Sequence, residues 1–372
     1  MMVQHDIAAL LEVSRRYGTD ARYVLLGGGN TSYKIDDTMY VKASGHALGT
    51  ISEDGFVAMS MPRLMAIWDK TYPADTEKRE EEVLADLMGA RSDGQTGRPS
   101  VEALLHGIIP FTYVVHLHPA MVNGLTCGQS GKEWARKLFP DAIWIPLVNP
   151  GYILAKTVRD AQREYVKSHA KQATTMFLQN HGVFVAADTI GEIDALYTAI
   201  METLNHAIVR KPVFNEVKVD AQRVAMVQQA MQQHYGSRTT YPVIANREVA
   251  NRLTDPEAFS SISSAYTPDH IVYSGFKPLW IGEAVFGQES PVQAMVSAMQ
   301  EFEHTYGVPA KIIAVQRTAA FAVSEAALVL FLDTVKVSAF TESFGGPRFM
   351  DDDQIEFIRT WEVEKYRSNL NA

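Results

Sequence analysis

Tyr113-Val114-Val115-His116-Leu117-His118 is the stretch from which the fold of this chain is best read. Its β-branched and aromatic residues predict a strand. Along a strand alternate side chains share a face, so His116 and His118 project together while Leu117 points away. Two neutral imidazoles held side by side on a rigid element suit a metal ion. Two such rings can equally be structural, satisfied by hydrogen bonds. The stretch alone leaves both readings open.

Working outward, residues 174–178 and 183–186 read as strands that bracket the turn Gln179-Asn180-His181-Gly182. A catalytic zinc takes three protein ligands and keeps its fourth position open. His181 offers the third, although a histidine beside a glycine in a turn is common. Upstream, Pro99-Ser100-Val101-Glu102 opens a helix that Ser100 can cap. A carboxylate there ordinarily complements the helix dipole. It becomes a proton-transfer base only if the fold returns Glu102 to the metal, and burial is then expected to raise its pKa. His106, one turn later, reads as a packing residue or a support for the site rather than as a ligand.

The loop Gly27-Gly28-Gly29-Asn30-Thr31-Ser32 lies between two strand-like segments. A nucleotide-binding glycine fingerprint would open a helix, so the Rossmann and P-loop readings fail on context. The glycines still let backbone approach an anion, with Asn30 and Thr31 adding donors; a tight hairpin is the structural alternative. Lys42-Ala43-Ser44-Gly45 is a second small-residue turn with a hydroxyl. Gly29, Asn30, Thr31, Ser44, Gly45 and Ser100 are therefore the candidates for surrounding a substrate phosphate.

At 372 residues, 47% hydrophobic and 21% charged, the chain is globular and long enough for two domains. A helix is expected over residues 6–17, then short strands at 23–26, 27–30, 31–35, 39–42 and 56–59, and a helix at 77–88. Thr189 and Glu192 form a capping box for a helix reaching about residue 210. After Pro212 the character changes. The expected organisation is a catalytic domain over 1–212, a helical linker over 213–240 and a smaller α/β domain over 241–372. The last of these carries a strand at 311–315, a helix at 324–331 and an amphipathic helix at 354–366. No internal repeat or low-complexity tract stands out.

The net charge of −9 comes with no run of Lys and Arg, which argues against nucleic acid as a partner. A single cysteine, Cys127, excludes an intrachain disulfide and fits a reducing cytoplasm. Asp6 and Glu12 interrupt any N-terminal signal-like stretch, and no segment approaches the roughly 18 apolar residues of a membrane span. The expectation is a soluble, cytoplasmic protein without a membrane partner.

GGGNTS, VKASG, RPSVE, VVHLHP and QNHG, taken together and in this order, resemble the class II aldolase/adducin family over residues 5 to 210. The resemblance implies an α/β fold with a mixed, largely antiparallel sheet flanked by helices, usually assembled as a homotetramer. It matches His116, His118 and His181 to three ligands of a Zn2+ ion, and Glu102 to the acidic residue that moves protons there. Asn30, Ser44, Gly45 and Ser100 match positions that bind substrate phosphate in the aldolase members. One departure is Val101, where the aldolases carry a second hydroxyl residue. The implied activity is reversible cleavage of a ketose 1-phosphate, of the rhamnulose, fuculose or ribulose type, to dihydroxyacetone phosphate and an aldehyde. A 4-epimerase, a dehydratase and a non-catalytic adducin-like protein are the alternatives on this scaffold. Residues 267–272, 311–315 and 361–365 resemble the region after the aldolase domain in bifunctional rhamnulose-1-phosphate aldolase/alcohol dehydrogenases. No nucleotide-binding fingerprint follows, so the aldolase portion without the dehydrogenase domain is expected.

Overall fold

The computed structural model describes residues 2–236 and 238–361, and in it the chain builds two sheets. The first has seven strands: β1 (Asn30–Ile35), β2 (Thr38–Lys42), β3 (Phe56–Ser60), β4 (Tyr113–Leu117), β5 (Ile143–Ile145), β6 (Thr175–Leu178) and β7 (Gly182–Ala187). Their order is β3-β2-β1-β4-β7-β6-β5. Every pairing is antiparallel except β5 with β6. This is the mixed, largely antiparallel sheet expected. Residues 23–26 are a turn rather than a strand. Leu26 takes φ 49°, and Gly28 N–H bonds Leu25 O at 3.0 Å. A short apolar run cannot by itself separate a strand from a packed turn.

Both faces of the sheet are covered. Met39, Val41, Val114 and Phe184 pack on one side beneath the helices Thr76–Gly89 and Tyr152–His169. Leu10, Val13, Val115, Leu117 and Tyr197 pack on the other, beneath the helices Met2–Gly18 and Ile190–Ala207. Val114 and Val115 thus enter opposite cores, as pleating requires. Each fully buried side chain of this kind contributes on the order of 1.5–3 kcal/mol. His116 shares Val114's face, and its ring stacks on Phe184 with centroids 4.0 Å apart.

The second sheet contains β8 (Val243–Ile244), β9 (Leu279–Ile281), β10 (Ile312–Val315) and β11 (Ala319–Ala322), in the order β8-β11-β10-β9. The helix Ala221–Tyr235, expected in a linker, belongs to this layer's core. Its Val227, Ala230 and Met231 pack with Met295, Met299 and Phe302. The terminal helix runs Asp352–Thr360, and the remainder of the expected 354–366 segment lies outside the described residues. No described helix is long and apolar enough to cross a membrane.

The sequence carries no internal repeat, but the backbone of the second sheet repeats the arrangement of four strands of the first. β9 runs parallel to β10 as β5 does to β6, β10 turns antiparallel into β11 as β6 does into β7, and β8 flanks β11 as β4 flanks β7. The two turns match bond for bond. Gln179 N–H reaches Ile145 O at 3.0 Å, and Gln316 N–H reaches Ile281 O at 2.9 Å. The next residues, Asn180 and Arg317, are left-handed at φ 55° and 51°. Their N–H groups donate to Thr126 O at 3.2 Å and Leu253 O at 2.8 Å. Each hairpin then enters a long helix through a hydroxyl cap, Thr189 or Ser324. The strand register equates Phe184 with Phe321 and His116 with Val243, and the turns equate His181 with Thr318. Ala245 falls at the position of His118. The second unit repeats the scaffold without its imidazoles.

Candidate metal centre

The imidazoles of His116, His118 and His181 converge. His116 Nε2 lies 2.9 Å from His118 Nε2 and 3.3 Å from His181 Nε2. β4 supplies the first two, because its pleat returns alternate residues to one side. The β6–β7 turn supplies the third, helped by Asn180's left-handed backbone and by Gly182. A Cβ at Gly182 would sit 2.6 Å from Leu117 O and 2.7 Å from His118 Cδ2.

The ring nitrogens facing away from the centre are hydrogen-bonded. His116 Nδ1 is 3.0 Å from Val183 O, and His118 Nδ1 is 2.5 Å from Asp269 Oδ2. Both oxygens can only accept from these rings when Nδ1 carries the proton, which leaves the inward Nε2 atoms as lone pairs. Lone pairs facing one another repel unless a cation lies among them. Burial drives the His116 ring well below the ordinary histidine range, so it stays neutral as a ligand must be.

Glu102 does return to this cluster. Its Oε1 is 3.6 Å from both His116 Nε2 and His181 Nε2, and it is buried without a hydrogen-bond partner. A buried carboxylate oxygen in that state is costly unless positive charge faces it. The helix it precedes runs Ala103–Ile108, with Glu102 N–H donating to Ser100 Oγ at 3.2 Å. The expected rise in its pKa is reversed. Burial is the largest influence and pushes the carboxyl up, while the neighbouring imidazoles, to the extent that they carry charge, and the Asn30 amide, which donates to the ionised form, bring the pKa down to about 2. Glu102 is therefore ionised at neutral pH.

Behind Glu102 runs a buried chain of polar groups. Ser32 Oγ bonds His106 Nδ1 at 2.7 Å, His106 Nε2 bonds Asn30 Oδ1, and Asn30 Nδ2 donates to Glu102 Oε2. His106 thus sets the amide that holds the carboxylate. The Asn30 amide, expected at a phosphate, lines the pocket and also donates to Glu102.

Of the other phosphate candidates, Gly29, Ser44, Gly45 and Ser100 line one pocket with Asn30, Glu102, His118 and His181. Thr31 does not. It is the next residue along β1, so it faces the opposite core, where its Oγ1 meets Ser14 Oγ at 2.7 Å. Gly29 requires its lack of a side chain, since at φ 68° a Cβ would fall 2.8 Å from His116 O. Val101 lines the pocket without a polar group.

Two charged lining residues lie outside the predicted site. Lys42 ends β2 in the pocket, with Nζ 3.4 Å from Gly27 O. A lysine entering a small-residue turn opposite the glycine loop was a usable signal. Asp269 arrives from the second unit, and Thr267-Pro268-Asp269 looks like an ordinary helix start. The resemblance over residues 267–272 marks the segment, but nothing in the sequence gives this carboxylate a place at the site.

Residues 8–207 match the family model of the Class II Aldolase and Adducin N-terminal domain. Among curated proteins, the chain is 26% identical over 193 residues to the "Uncharacterized oxidoreductase YuxG" of Bacillus subtilis (strain 168). That match covers 49% of this chain and 27% of the relative, so the chain spans about a quarter of that protein's length. Among solved structures, the N-terminal class II aldolase domain of a conserved protein from Thermoplasma acidophilum is 26% identical with a TM-score of 0.46. It covers 54% of this chain and 92% of that one. L-fuculose-1-phosphate aldolase from Thermus thermophilus is 14% identical with a TM-score of 0.37, covering 54% and 92%.

Proposed function

This chain belongs to the class II aldolase and adducin family, and from that premise we propose that it is a zinc-dependent lyase cleaving a ketose 1-phosphate to dihydroxyacetone phosphate and an aldehyde. The observation that carries the reading is the meeting of three imidazole nitrogens beside the unpaired Oε1 of Glu102. His116, His118 and His181 would hold the ion. Three neutral nitrogen donors suit zinc, and manganese, cobalt or iron can occupy the same set. A divalent cation supplies Lewis-acid stabilisation of the negative charge that develops as the carbon–carbon bond breaks.

Glu102 is the proton-transfer group. In the condensation direction its ionised carboxylate takes the proton from the carbon beside the carbonyl and the new hydroxyl oxygen gains it; in cleavage the proton released by that hydroxyl reaches the carboxylate, which delivers it to the carbon. Asn30 and His106 keep that carboxylate aimed. Lys42, Ser44, Gly45, Gly29 and Ser100 form the wall suited to a phosphate, with Lys42 adding the positive charge that the backbone donors lack. Family assembly as a homo-oligomer is part of the proposal and is read by light scattering of the purified protein.

Metal content measured beside a cleavage assay on rhamnulose, fuculose and ribulose 1-phosphates tests the reading. About one zinc per chain and release of triose phosphate are expected, with Glu102→Gln keeping the metal and losing turnover about 10²–10⁴-fold. Full activity in Glu102→Gln would remove the assignment of the base. Metal without cleavage of any of the three sugars would move the reading to an epimerase or dehydratase.

A further inference from the structure

We propose that Asp269, carried by the second unit, is a positioning residue for the metal centre, fixing the His118 ring so that Nε2 faces His116 and His181. The inference rests on the metal reading above. Its geometry is direct: Asp269 Oδ2 lies 2.5 Å from His118 Nδ1, across 151 residues of chain. A carboxylate on the outward nitrogen fixes the tautomer and orientation of a metal-binding histidine and raises its basicity.

Several features hold the carboxylate in place. Asp269 sits in the buried helix Pro268–Ser274, capped by Thr267. His270 Nε2 reaches Asp333 Oδ2 at 3.2 Å, tying this helix to the helix Glu325–Thr341. Lys311 Nζ donates to Val272 O at 2.6 Å, tying it to the second sheet. On the opposite side, the first unit leaves room for the carboxylate. A Cβ on Gly28 would lie 2.7 Å from Asp269 Oδ2.

The same unit grips the turn that carries His181. Asn180 Nδ2 donates to Tyr266 O at 2.9 Å and to Arg348 O at 2.7 Å. The repeated scaffold, having Val243, Ala245 and Thr318 where the first has histidines, thus acts as a brace for its neighbour's centre. Glu102 shapes the front of the site from within the first unit, and the second unit orients the ligands from behind.

The test uses the full chain stripped of metal and titrated with Zn2+ and with Co2+ against a chromophoric chelator. Asp269→Ala is expected to raise the dissociation constant about 10–100-fold. Asp269→Asn, whose amide oxygen still accepts from Nδ1, should lose less. Gly28→Ala, which displaces the carboxylate without removing it, should also weaken binding. In the metal-free wild type, nitrogen NMR of labelled histidine should find His118 protonated at Nδ1, and in Asp269→Ala it should find a mixture of tautomers. Circular dichroism checks that each variant is folded; if Asp269→Ala is not, Asp269→Asn and Gly28→Ala decide. Unchanged affinity in the folded variants, or a His118 not protonated at Nδ1 in the wild type, overturns the role of Asp269 while leaving the metal reading intact. A wild type that binds neither ion overturns the metal reading itself.

Discussion

Replacing His106 with Gln should flatten the acid sensitivity of this protein. His106 is fully buried between Ser32 and Asn30, and burial lowers its pKa to about 3 from an ordinary 6.5, despite the attraction of Glu102. The unfolded chain therefore binds a proton between pH 6.5 and 3 that the folded chain refuses. By linkage, stability falls as pH falls through that window. At pH 5 the unfolded histidine is about 1.5 pH units below its pKa, and at 1.36 kcal/mol per unit the loss relative to neutral pH is about 2 kcal/mol. The full difference of about 3.5 units, on the order of 5 kcal/mol, is reached only below pH 3.

Urea unfolding of the wild type and His106→Gln at pH 7 and pH 5 measures this. EDTA is present throughout, so that acid release of a metal does not enter. The variant is expected to be less stable at pH 7, because the amide chain to Glu102 is disturbed. Its further loss on going to pH 5 should nevertheless be smaller by about 2 kcal/mol, since the titrations of distant carboxylates cancel in the difference. Equal losses in the two proteins would refute the claim that a neutral His106 is buried behind the site.

Three other outcomes follow from the geometry. Thr31→Val should cost about 1 kcal/mol in thermal unfolding, from the lost buried bond to Ser14. It should leave KM for the sugar phosphate unchanged, because Thr31 faces away from the pocket. Lys42→Met should raise KM at least tenfold, about 1.4 kcal/mol of binding, with metal content unaltered. Gly124→Ala places a Cβ 2.3 Å from Phe340 Cβ, where the helices Ala120–Thr126 and Glu325–Thr341 cross. About 1–3 kcal/mol of overpacking is expected, visible as a lowered Tm.

The parts of the site legible in the sequence are those whose chemistry and period coincide. His116 and His118 stand on an alternating strand, His181 breaks an apolar hairpin, and Glu102 opens the helix Ala103–Ile108 two residues after Ser100, whose Oγ takes its N–H without capping that helix. Each is odd where it stands. Thr31 lies away from the phosphate candidates because the pleat that begins at Asn30 turns it into the opposite core, which the composition of the loop does not show. Asp269 was invisible because a Thr-Pro-Asp helix start explains itself locally, and only the docking of two units gives its carboxylate a second purpose.

The repeat was hidden for a related reason. What recurs is a set of backbone bonds around Gln179 and Gln316, while Arg317 and Thr318 replace Asn180 and His181. Arg317 even accepts a left-handed φ that would ordinarily predict Asn or Gly. Hydrogen-bond geometry can be preserved by residues that share no chemistry. The second sheet could therefore be foreseen only as a smaller α/β unit of unassigned role.

The bond between His118 and Asp269 also sets a timetable for synthesis. The seven-stranded sheet ends at Ala187, so it can close while the chain is only half made. The three imidazoles are then together, but the carboxylate behind His118 is still to be translated, and its helix docks through Asp333, later still. Closing loops of this length is slow compared with pairing neighbouring strands. On the metal reading proposed above, a nascent chain would thus bring its three imidazoles together before the carboxylate that orients His118 exists, so that the site reaches its final geometry only when the last third of the protein folds.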